Sequence, residues 1–255
     1  MYPTIPVGPL ALPTGPFLTI IAAVIGLEMM GRYGRRDGHS VDALWNVGLV
    51  ALLTGLVVAR LWNVSRFWEI YLADPLLIVS IRPGGFVLLP GIIGGLIGGY
   101  FFMIYRALEP GPVVASAMVG LVAGSVIQGI SGYLTGEILG ISNGGPALLN
   151  PLDPLTQPAG LYRAVGMLLL LAFLWIGTSA RRPLHTLAVS LLGYGLIRLI
   201  ADGFVANSQT IAGVRISQLL ALVGALVACV LLSQLTRTPS SAHPPSTTSI
   251  HERLE

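Results

Sequence analysis

Long apolar runs separated by short polar segments dominate the chain from near its start to about residue 235. Several of these runs approach the roughly 18 residues that a helix needs to cross the hydrocarbon of a bilayer. The pattern predicts an all-α polytopic membrane protein with about seven transmembrane helices. The expected spans are 17–30, 44–59, 86–105, 113–134, 161–178, 187–200 and 216–232.

The composition supports the same class of protein. Of 255 residues, 54% are apolar and only 10% are charged, whereas a soluble domain has roughly 25% charged residues. An ordinary soluble protein is therefore excluded. A chain this apolar is also unlike a disordered protein, which is rich in charge and poor in apolar residues.

Arginines and turn-forming residues predict how the spans are oriented. Basic clusters occur at Arg32, Arg35 and Arg36 and at Arg181-Arg182, whereas residues 136–160 contain no basic residue. Because basic residues are enriched in cytoplasmic loops, we expect the N-terminus outside and the C-terminus in the cytoplasm. Residues 1–235 then form one membrane domain with an external loop at 136–160, and the Ser/Thr/Pro-rich residues 236–255 form a disordered cytoplasmic tail.

A stripe of glycines recurs every three or four residues along the third expected span, at Gly91, Gly94, Gly95, Gly98 and Gly99. Small residues at this spacing let two helix backbones approach each other closely in lipid. A second interpretation is that the missing side chains leave an apolar slot for an acyl chain. The sequence leaves both interpretations open, although helix packing is the commoner use of such a stripe.

Polar residues close to the apolar spans are the candidates for chemistry, because a charged side chain at bilayer depth is costly and usually faces a wet or paired interior. Arg198 and Asp202 stand four residues apart, on one face of a helix, so they could form an ion pair. An arginine there could instead bind an anion, since the guanidinium group presents a planar fork of donors suited to phosphate. The full set of candidates is Arg60, Gln128, Glu137, Arg163, Arg198, Asp202 and Gln218.

Several kinds of site are excluded. The 14 basic residues are all arginine and form no polybasic block, so we expect no nucleic-acid partner, and a P-loop cannot occur without lysine. Cys229 is the single cysteine, which excludes an intramolecular disulfide and a thiolate metal cluster. The histidines at 39, 185, 243 and 251 all fall in expected cytoplasmic segments. We therefore expect no metal, no cofactor and no Ser/His/Asp triad on the external side.

Short motifs in a fixed order resemble those of the bacterial phosphatidylglycerol:prolipoprotein diacylglyceryl transferases. The resemblance runs over roughly residues 7 to 235. It covers the family's seven helices, its Asp-Pro segment, its Gly-Gly turn and the end of its signature. The motifs that carry it are Val7–Leu10, Ala59-Arg60, Tyr71–Leu76, Gly84-Gly85, Thr135–Gly140, Gln157–Tyr162, Tyr194–Arg198 and Ser217-Gln218.

The resemblance implies a reaction and a location. The family transfers a diacylglyceryl group from phosphatidylglycerol to the cysteine thiol of a prolipoprotein signal sequence and releases glycerol phosphate. The implied partners are that phospholipid and those signal sequences, and the implied location is the bacterial cytoplasmic (inner) membrane. The residues expected to hold the phospholipid are Arg60, Glu137, Arg163, Arg198, Asp202 and Gln218.

The chain departs from the family pattern at several motif positions. Leu89 stands where the family has a histidine, Gly129 where it has an arginine, and Gln157 where it has the histidine of a His-Pro motif. Arg163 replaces an acidic residue, and the sequence does not decide whether it substitutes for the missing arginine. Two functions therefore stay open: a divergent transferase, and a catalytically inactive relative that binds phospholipid or serves as a scaffold subunit.

Overall fold

The computed structural model describes residues 4–7, 10–78, 85–142, 152–153, 155–208, 210–211 and 214–237. Seven helices in this part of the chain are long and apolar enough to cross a membrane, which confirms the predicted all-α polytopic architecture. In chain order the helices are α1 (Thr14–Arg35), α2 (Val41–Arg66), the short α3 (Trp68–Ala73), α4 (Leu88–Tyr105), α5 (Pro110–Thr135), α6 (Ala159–Gly177), α7 (Pro183–Ala201) and α8 (Ile216–Arg237).

The helices extend a few residues beyond most of the predicted spans, because polar residues cap or continue them. The Ser40 hydroxyl accepts a hydrogen bond from the Ala43 N–H and caps α2. Gly136, at φ +77°, ends α5 in the left-handed conformation that favours glycine. His185 lies inside α7 rather than in the loop predicted for it. Pro183 explains this difference, because proline is favoured in the first turn of a helix.

Two small antiparallel hairpins accompany the helices. Strands β1 (Thr4–Val7) and β2 (Leu10–Pro13) pair just before α1. Strands β3 (Thr210–Ile211) and β4 (Val214–Arg215) pair just before α8. Both hairpins therefore lie at the end of the bundle where α1 and α8 begin.

Small residues let the helices pack closely. The main helix pairs are α1 with α5, α2 with α4, α5 with α6, and α7 with α8. In the α2–α4 pair, a Cβ added to Gly95 would lie 2.8 Å from the Ala51 carbonyl oxygen. The glycine stripe of the third span is thus covered by α2, which confirms the packing interpretation and leaves no slot for an acyl chain along the stripe.

Part of the predicted external loop is described. Residues 143–151 and 154 lie outside the described residues, but α6 begins at Ala159, two residues before the predicted span. Gly140 forms a β-bridge with Val205, which links the start of the loop to the segment that follows α7. The tail predicted to be disordered comprises residues 236–255. Of these, the residues from 238 onward also lie outside the described part.

The opposite end of the bundle is held by a buried hydroxyl cluster. The Tyr33 hydroxyl lies 2.7 Å from Thr178 Oγ1 and 3.3 Å from Thr186 Oγ1. Asp37 accepts hydrogen bonds from the Ser179 hydroxyl and from a backbone N–H in the same turn. These contacts join the end of α1 to the connection between α6 and α7.

Candidate functional site

Two arginines and one aspartate converge where α6 begins and α7 ends. Arg163 Nε and Nη2 lie 2.7 and 2.6 Å from Asp202 Oδ1, and Arg198 Nη2 lies 3.1 Å from Asp202 Oδ2. The predicted Arg198–Asp202 ion pair is therefore present. Arg163, which is 39 residues away from Asp202 in sequence, joins the same carboxylate and makes it a three-residue cluster.

Local backbone structure positions this cluster. Asp202 follows the last residue of α7 in a 3-10 turn, Asp202–Phe204. Arg215 Nη1 donates hydrogen bonds to the backbone oxygens of Asp202 and Gly203, which fixes the turn beneath the two guanidinium groups. The carboxylate is therefore held by its backbone as well as by its ion pairs.

A close contact between α5 and α6 sets the position of Arg163. A Cβ added to Gly129 would lie 2.8 Å from the Ala164 nitrogen, and one added to Gly160 would lie 2.7 Å from the Gly129 oxygen. The two backbones therefore touch within one turn of Arg163. Gly129 is the position where the family pattern has an arginine, and this packing leaves no room there for a side chain.

The charges of the cluster do not cancel. Asp202 is fully buried, whereas the Arg163 and Arg198 side chains are 14% and 28% exposed. Two positive groups face one negative group, so the cluster carries one excess positive charge. Among the described residues, Nη1 of neither arginine has a hydrogen-bond partner. The exposed edge of the cluster can therefore bind an anion.

A cavity of about 590 Å³ opens beside the cluster, between α7 and α8. Its polar wall contains both arginines together with Tyr194, Asn207 and Ser208, and its apolar wall lies deeper between the two helices. We call it the α7–α8 cavity. The apolar side chains and small residues that line it are Leu191, Gly195, Leu220, Ala221 and Gly224.

A second cavity, of about 330 Å³, lies on the other side of the two arginines. We call it the α5–α6 cavity, because Gln128 and Gly129 of α5 and Met167 of α6 line it. The two cavities share part of their lining, including both arginines. The shared residues are Glu137, Ile138, Arg163, Tyr194 and Arg198.

Glu137 is held at this shared wall by its backbone. The Asn207 side chain donates a hydrogen bond of 2.8 Å to the Glu137 carbonyl oxygen and accepts one of 3.2 Å from the Leu139 N–H. The Glu137 side chain is exposed. Glu137 thus lines both cavities, and its carboxylate has no ion-pair partner among the described residues.

Arg60 is a predicted site residue that lines neither cavity. Its guanidinium group donates to the backbone oxygens of Leu77, Ile78 and Gly85. It also lies over the rings of Tyr71 and Phe86, at 5.5 and 5.4 Å from their centroids. In this structure Arg60 ties the segment between α2 and α4 to α2.

Gln218 also lies outside both cavity walls. Its side-chain nitrogen donates a hydrogen bond of 3.1 Å to the Leu199 carbonyl oxygen, which joins the first turn of α8 to the last turn of α7. Of the six predicted phospholipid-binding residues, Glu137, Arg163 and Arg198 line the cavities. Asp202 lines neither cavity but forms ion pairs with the two arginines.

Sequence reasoning missed several polar residues of the cavity walls. Tyr194 stands four residues before Arg198, on the same helical face, and this spacing could have indicated it. Asn207 and Ser208 carried no such signal, whereas Ser217 belongs to the Ser217-Gln218 motif. The Ser217 hydroxyl oxygen is buried without a hydrogen-bond partner among the described residues, and it lines the α7–α8 cavity.

No histidine lies at either cavity in the described part of the chain. His39 and His185 are at the opposite end of the bundle, near the ends of α1 and α6. Leu89, at the position of the family histidine, is 68% exposed. Gln157 accepts a hydrogen bond of 2.5 Å from the Tyr162 hydroxyl, so it takes part in packing at the start of α6.

Comparison with known proteins identifies the family. The sequence model described as prolipoprotein diacylglyceryl transferase matches residues 4–234, nearly the whole described chain. The chain belongs to the prolipoprotein diacylglyceryl transferase family. This result confirms the resemblance inferred from the motifs, and together with the seven apolar helices it establishes a multi-pass membrane protein with a transferase-like function.

Curated members of the family are similar over most of their length. The phosphatidylglycerol--prolipoprotein diacylglyceryl transferase of Synechococcus elongatus is 25% identical over 234 residues, covering 85% of this chain and 81% of its own. The enzyme of the same name from Clostridioides difficile is 22% identical, with 80% and 82% covered. That of Staphylococcus xylosus is 23% identical, with 89% and 88% covered.

Proposed function

We propose that this protein binds phosphatidylglycerol through Arg163 and Arg198 and transfers its diacylglyceryl group to the cysteine thiol of a prolipoprotein. The observation that carries the proposal is the convergence of the two guanidinium groups on the buried Asp202, at residues that line both cavities. Family membership supplies the reaction class. Asp202 acts as the anion that keeps the two cations together.

The charge change of the reaction suits such a pair of cations. The thiol sulfur forms a bond to the glyceryl carbon, and the bond from that carbon to the phosphate oxygen breaks. The phosphate changes from a diester with one negative charge to a monoester that carries more. Fixed donors placed where charge develops lower the barrier most, so Arg163 and Arg198 stabilise the leaving glycerol phosphate.

Glu137 has a separate role in this proposal. Glu137 lines both cavities, and a carboxylate accepts hydrogen bonds from hydroxyl groups. We assign it to orienting the glycerol headgroup. The thiol proton leaves to solvent or to a group outside this set.

The proposed orientation in the membrane rests on the positions of the basic residues. Arg32, Arg35, Arg36, Arg181 and Arg182 lie at the end of the bundle opposite the cavities. Because basic residues favour the cytoplasmic side, we propose that the cavities face the exterior of the bacterial inner membrane, with the N-terminus outside. Residues 136–160 are then external and the tail is cytoplasmic.

The second candidate function is a catalytically inactive relative that binds phospholipid or serves as a scaffold subunit. The observation that favours it is the lack of an imidazole at either cavity among the described residues. Such a protein would keep the phosphate-binding arginines and lose the ability to draw a proton from a thiol. Both candidates require Arg163 and Arg198 to bind the lipid.

A complementation experiment separates the two candidates. The chain is expressed in bacteria depleted of their own transferase, and a reporter prolipoprotein is analysed by mass spectrometry for the diacylglyceryl thioether. Modified reporter supports the transferase and rejects the inactive relative. Unmodified reporter, with the chain present in the membrane at normal abundance, supports the inactive relative.

Two variants test the site itself. Arg198→Gln removes a cation at the cavity wall and is expected to abolish the modification, or lipid binding if the chain is inactive. Arg66→Gln is the matched control, because Arg66 is exposed at the end of α2 and lines neither cavity. Equal modification or equal lipid binding by both variants would remove Arg198 from the phosphate site.

A further inference from the structure

Two short segments meet at the end of the bundle opposite the cavities. One is the end of α1, with Arg35 and Arg36, and the other is the connection between α6 and α7, with Arg181 and Arg182. Asp37 joins the two segments, because it accepts two hydrogen bonds from that connection and lies 3.8 Å from Arg181 Nε. We call the four arginines the arginine patch.

Aromatic contacts fix the depth of the patch in the membrane. The Arg36 guanidinium group lies 4.9 Å from the centre of a Trp175 ring and 5.6 Å from that of the Tyr33 ring. It also donates a hydrogen bond to the Trp175 carbonyl oxygen, near the end of α6. Tryptophan is enriched where the headgroups of a bilayer meet water. The patch therefore lies at the depth of phospholipid headgroups.

The patch carries uncompensated positive charge. The one carboxylate that joins its two segments is that of Asp37, which is already engaged by its hydrogen bonds. Arg35 and Arg182 are exposed, and neither side chain has a hydrogen bond or an ion pair among the described residues. Arg32 differs, because Glu28 pairs with it at 2.6 Å. The patch thus has free donors for an anion.

Apolar side chains lie next to the patch along the chain. Phe173 and Ile176, near the end of α6, are exposed, and so is Leu184 in the first turn of α7. In a helix that spans a membrane, exposed side chains of this kind contact acyl chains. A soluble phosphate ester would bind the arginines alone, whereas a phospholipid would contact both the arginines and the apolar surface.

We infer that the arginine patch binds the phosphodiester headgroup of an anionic phospholipid in the leaflet at this end of the bundle. In the proposed orientation this is the cytoplasmic leaflet. Clusters of basic residues beside membrane helices attract anionic lipids, and guanidinium groups donate paired hydrogen bonds to phosphate. No residue of the patch lines either cavity, so the inference does not depend on the proposed function.

Quenching of Trp175 fluorescence by brominated lipids tests the site. Full-length protein carrying Trp45→Phe, Trp62→Phe and Trp68→Phe is reconstituted into phosphatidylcholine vesicles that contain brominated phosphatidylglycerol or brominated phosphatidylcholine. We expect phosphatidylglycerol to bind beside Trp175 more than about tenfold more tightly, because each arginine near the headgroups contributes about a factor of five. Equal affinity for the two lipids overturns the inference.

Single variants test the arginines. Arg35→Gln and Arg182→Gln are each expected to lower the preference for phosphatidylglycerol about fivefold. Arg106→Gln is the matched control, because Arg106 is exposed at the same end of the bundle, after α4 and outside the patch. No loss in the two patch variants overturns the site. An equal loss in Arg106→Gln overturns it too, since the attraction would then belong to the whole end of the bundle.

A soluble competitor distinguishes the two sources of phosphate. Glycerol phosphate added to the vesicles at millimolar concentration is expected to leave the quenching by phosphatidylglycerol unchanged. Relief of the quenching would show that the patch binds a free phosphate ester and would overturn the lipid assignment.

Further arms keep the test decisive. If the triple tryptophan variant does not fold, the difference in quenching between the unmodified protein and Trp175→Phe isolates the same side chain. Arg198→Gln, at the cavities, is expected to leave the preference at Trp175 unchanged. Loss of the preference in that variant would place the quenching lipid in the cavities and overturn the inference. Failed complementation with the preference intact rejects the transferase and keeps the patch.

Discussion

Asp202→Asn is expected to destabilise the protein strongly. The carboxylate is fully buried and pairs with Arg163 and Arg198, which are 14% and 28% exposed. Removing its charge leaves two neighbouring guanidinium groups without a counter-ion. Breaking a buried pair by removing one partner costs about 3–5 kcal/mol, and solvation of the partly exposed arginines places the expected value near the lower limit, at about 3 kcal/mol.

The free energy of unfolding in mixed micelles, titrated with a denaturing detergent, measures this loss. Asp74→Asn is the matched control, because Asp74 is exposed and accepts a hydrogen bond from the Leu76 backbone N–H. The double variant Arg163→Gln with Asp202→Asn removes one cation together with the anion. We expect it to be more stable than the sum of the single effects by about 1–2 kcal/mol.

Two results would refute this reasoning. Equal stability of Asp202→Asn and Asp74→Asn would show that the buried carboxylate does not hold the arginines together. Strict additivity of Arg163→Gln and Asp202→Asn would show that the two side chains are not coupled, despite their 2.6 Å contact.

Three further predictions concern packing and the segments around the site. Gly95→Ala places a methyl group against a backbone carbonyl of α2 and is expected to destabilise the protein by about 1–3 kcal/mol; thermal unfolding checks this against Gly177→Ala, where an equal effect would contradict it. Arg60→Gln removes at least three hydrogen bonds to the segment between α2 and α4, so amide exchange of residues 67–78 is expected to speed up about tenfold; exchange as slow as in Arg66→Gln would contradict it. Tyr33→Phe removes the buried hydroxyl contacts at the opposite end and is expected to cost about 1 kcal/mol; an unchanged unfolding temperature would contradict it.

The sequence predicted the membrane spans well because their signal is local. A helix in lipid satisfies its backbone hydrogen bonds within itself, so a sufficiently long apolar run indicates a span without knowledge of its neighbours. The seven long helices coincide with the seven predicted spans apart from a few residues at their ends. The order of the short motifs along the chain also indicated the family, because such motifs are local in the same way.

The contacts of individual polar residues were harder to predict. The Arg198–Asp202 pair could be predicted because four residues bring two side chains onto one face of a helix. The role of Arg60 could not, since its hydrogen bonds reach backbone oxygens between 17 and 25 residues away in a segment without regular spacing. The Gln218 contact with α7 depends likewise on how two helices meet.

The sequence by itself determined that the chain is a seven-helix membrane protein and which family its motifs resemble, because both depend on local composition and order. Tertiary structure decided which polar residues form the site. Arg163 of α6 meets Asp202, which follows α7, through the packing of these helices, while Arg60 and Gln218 hold segments together. The cavities on either side of the arginines are spaces between helices, and no single stretch of sequence specifies such a space.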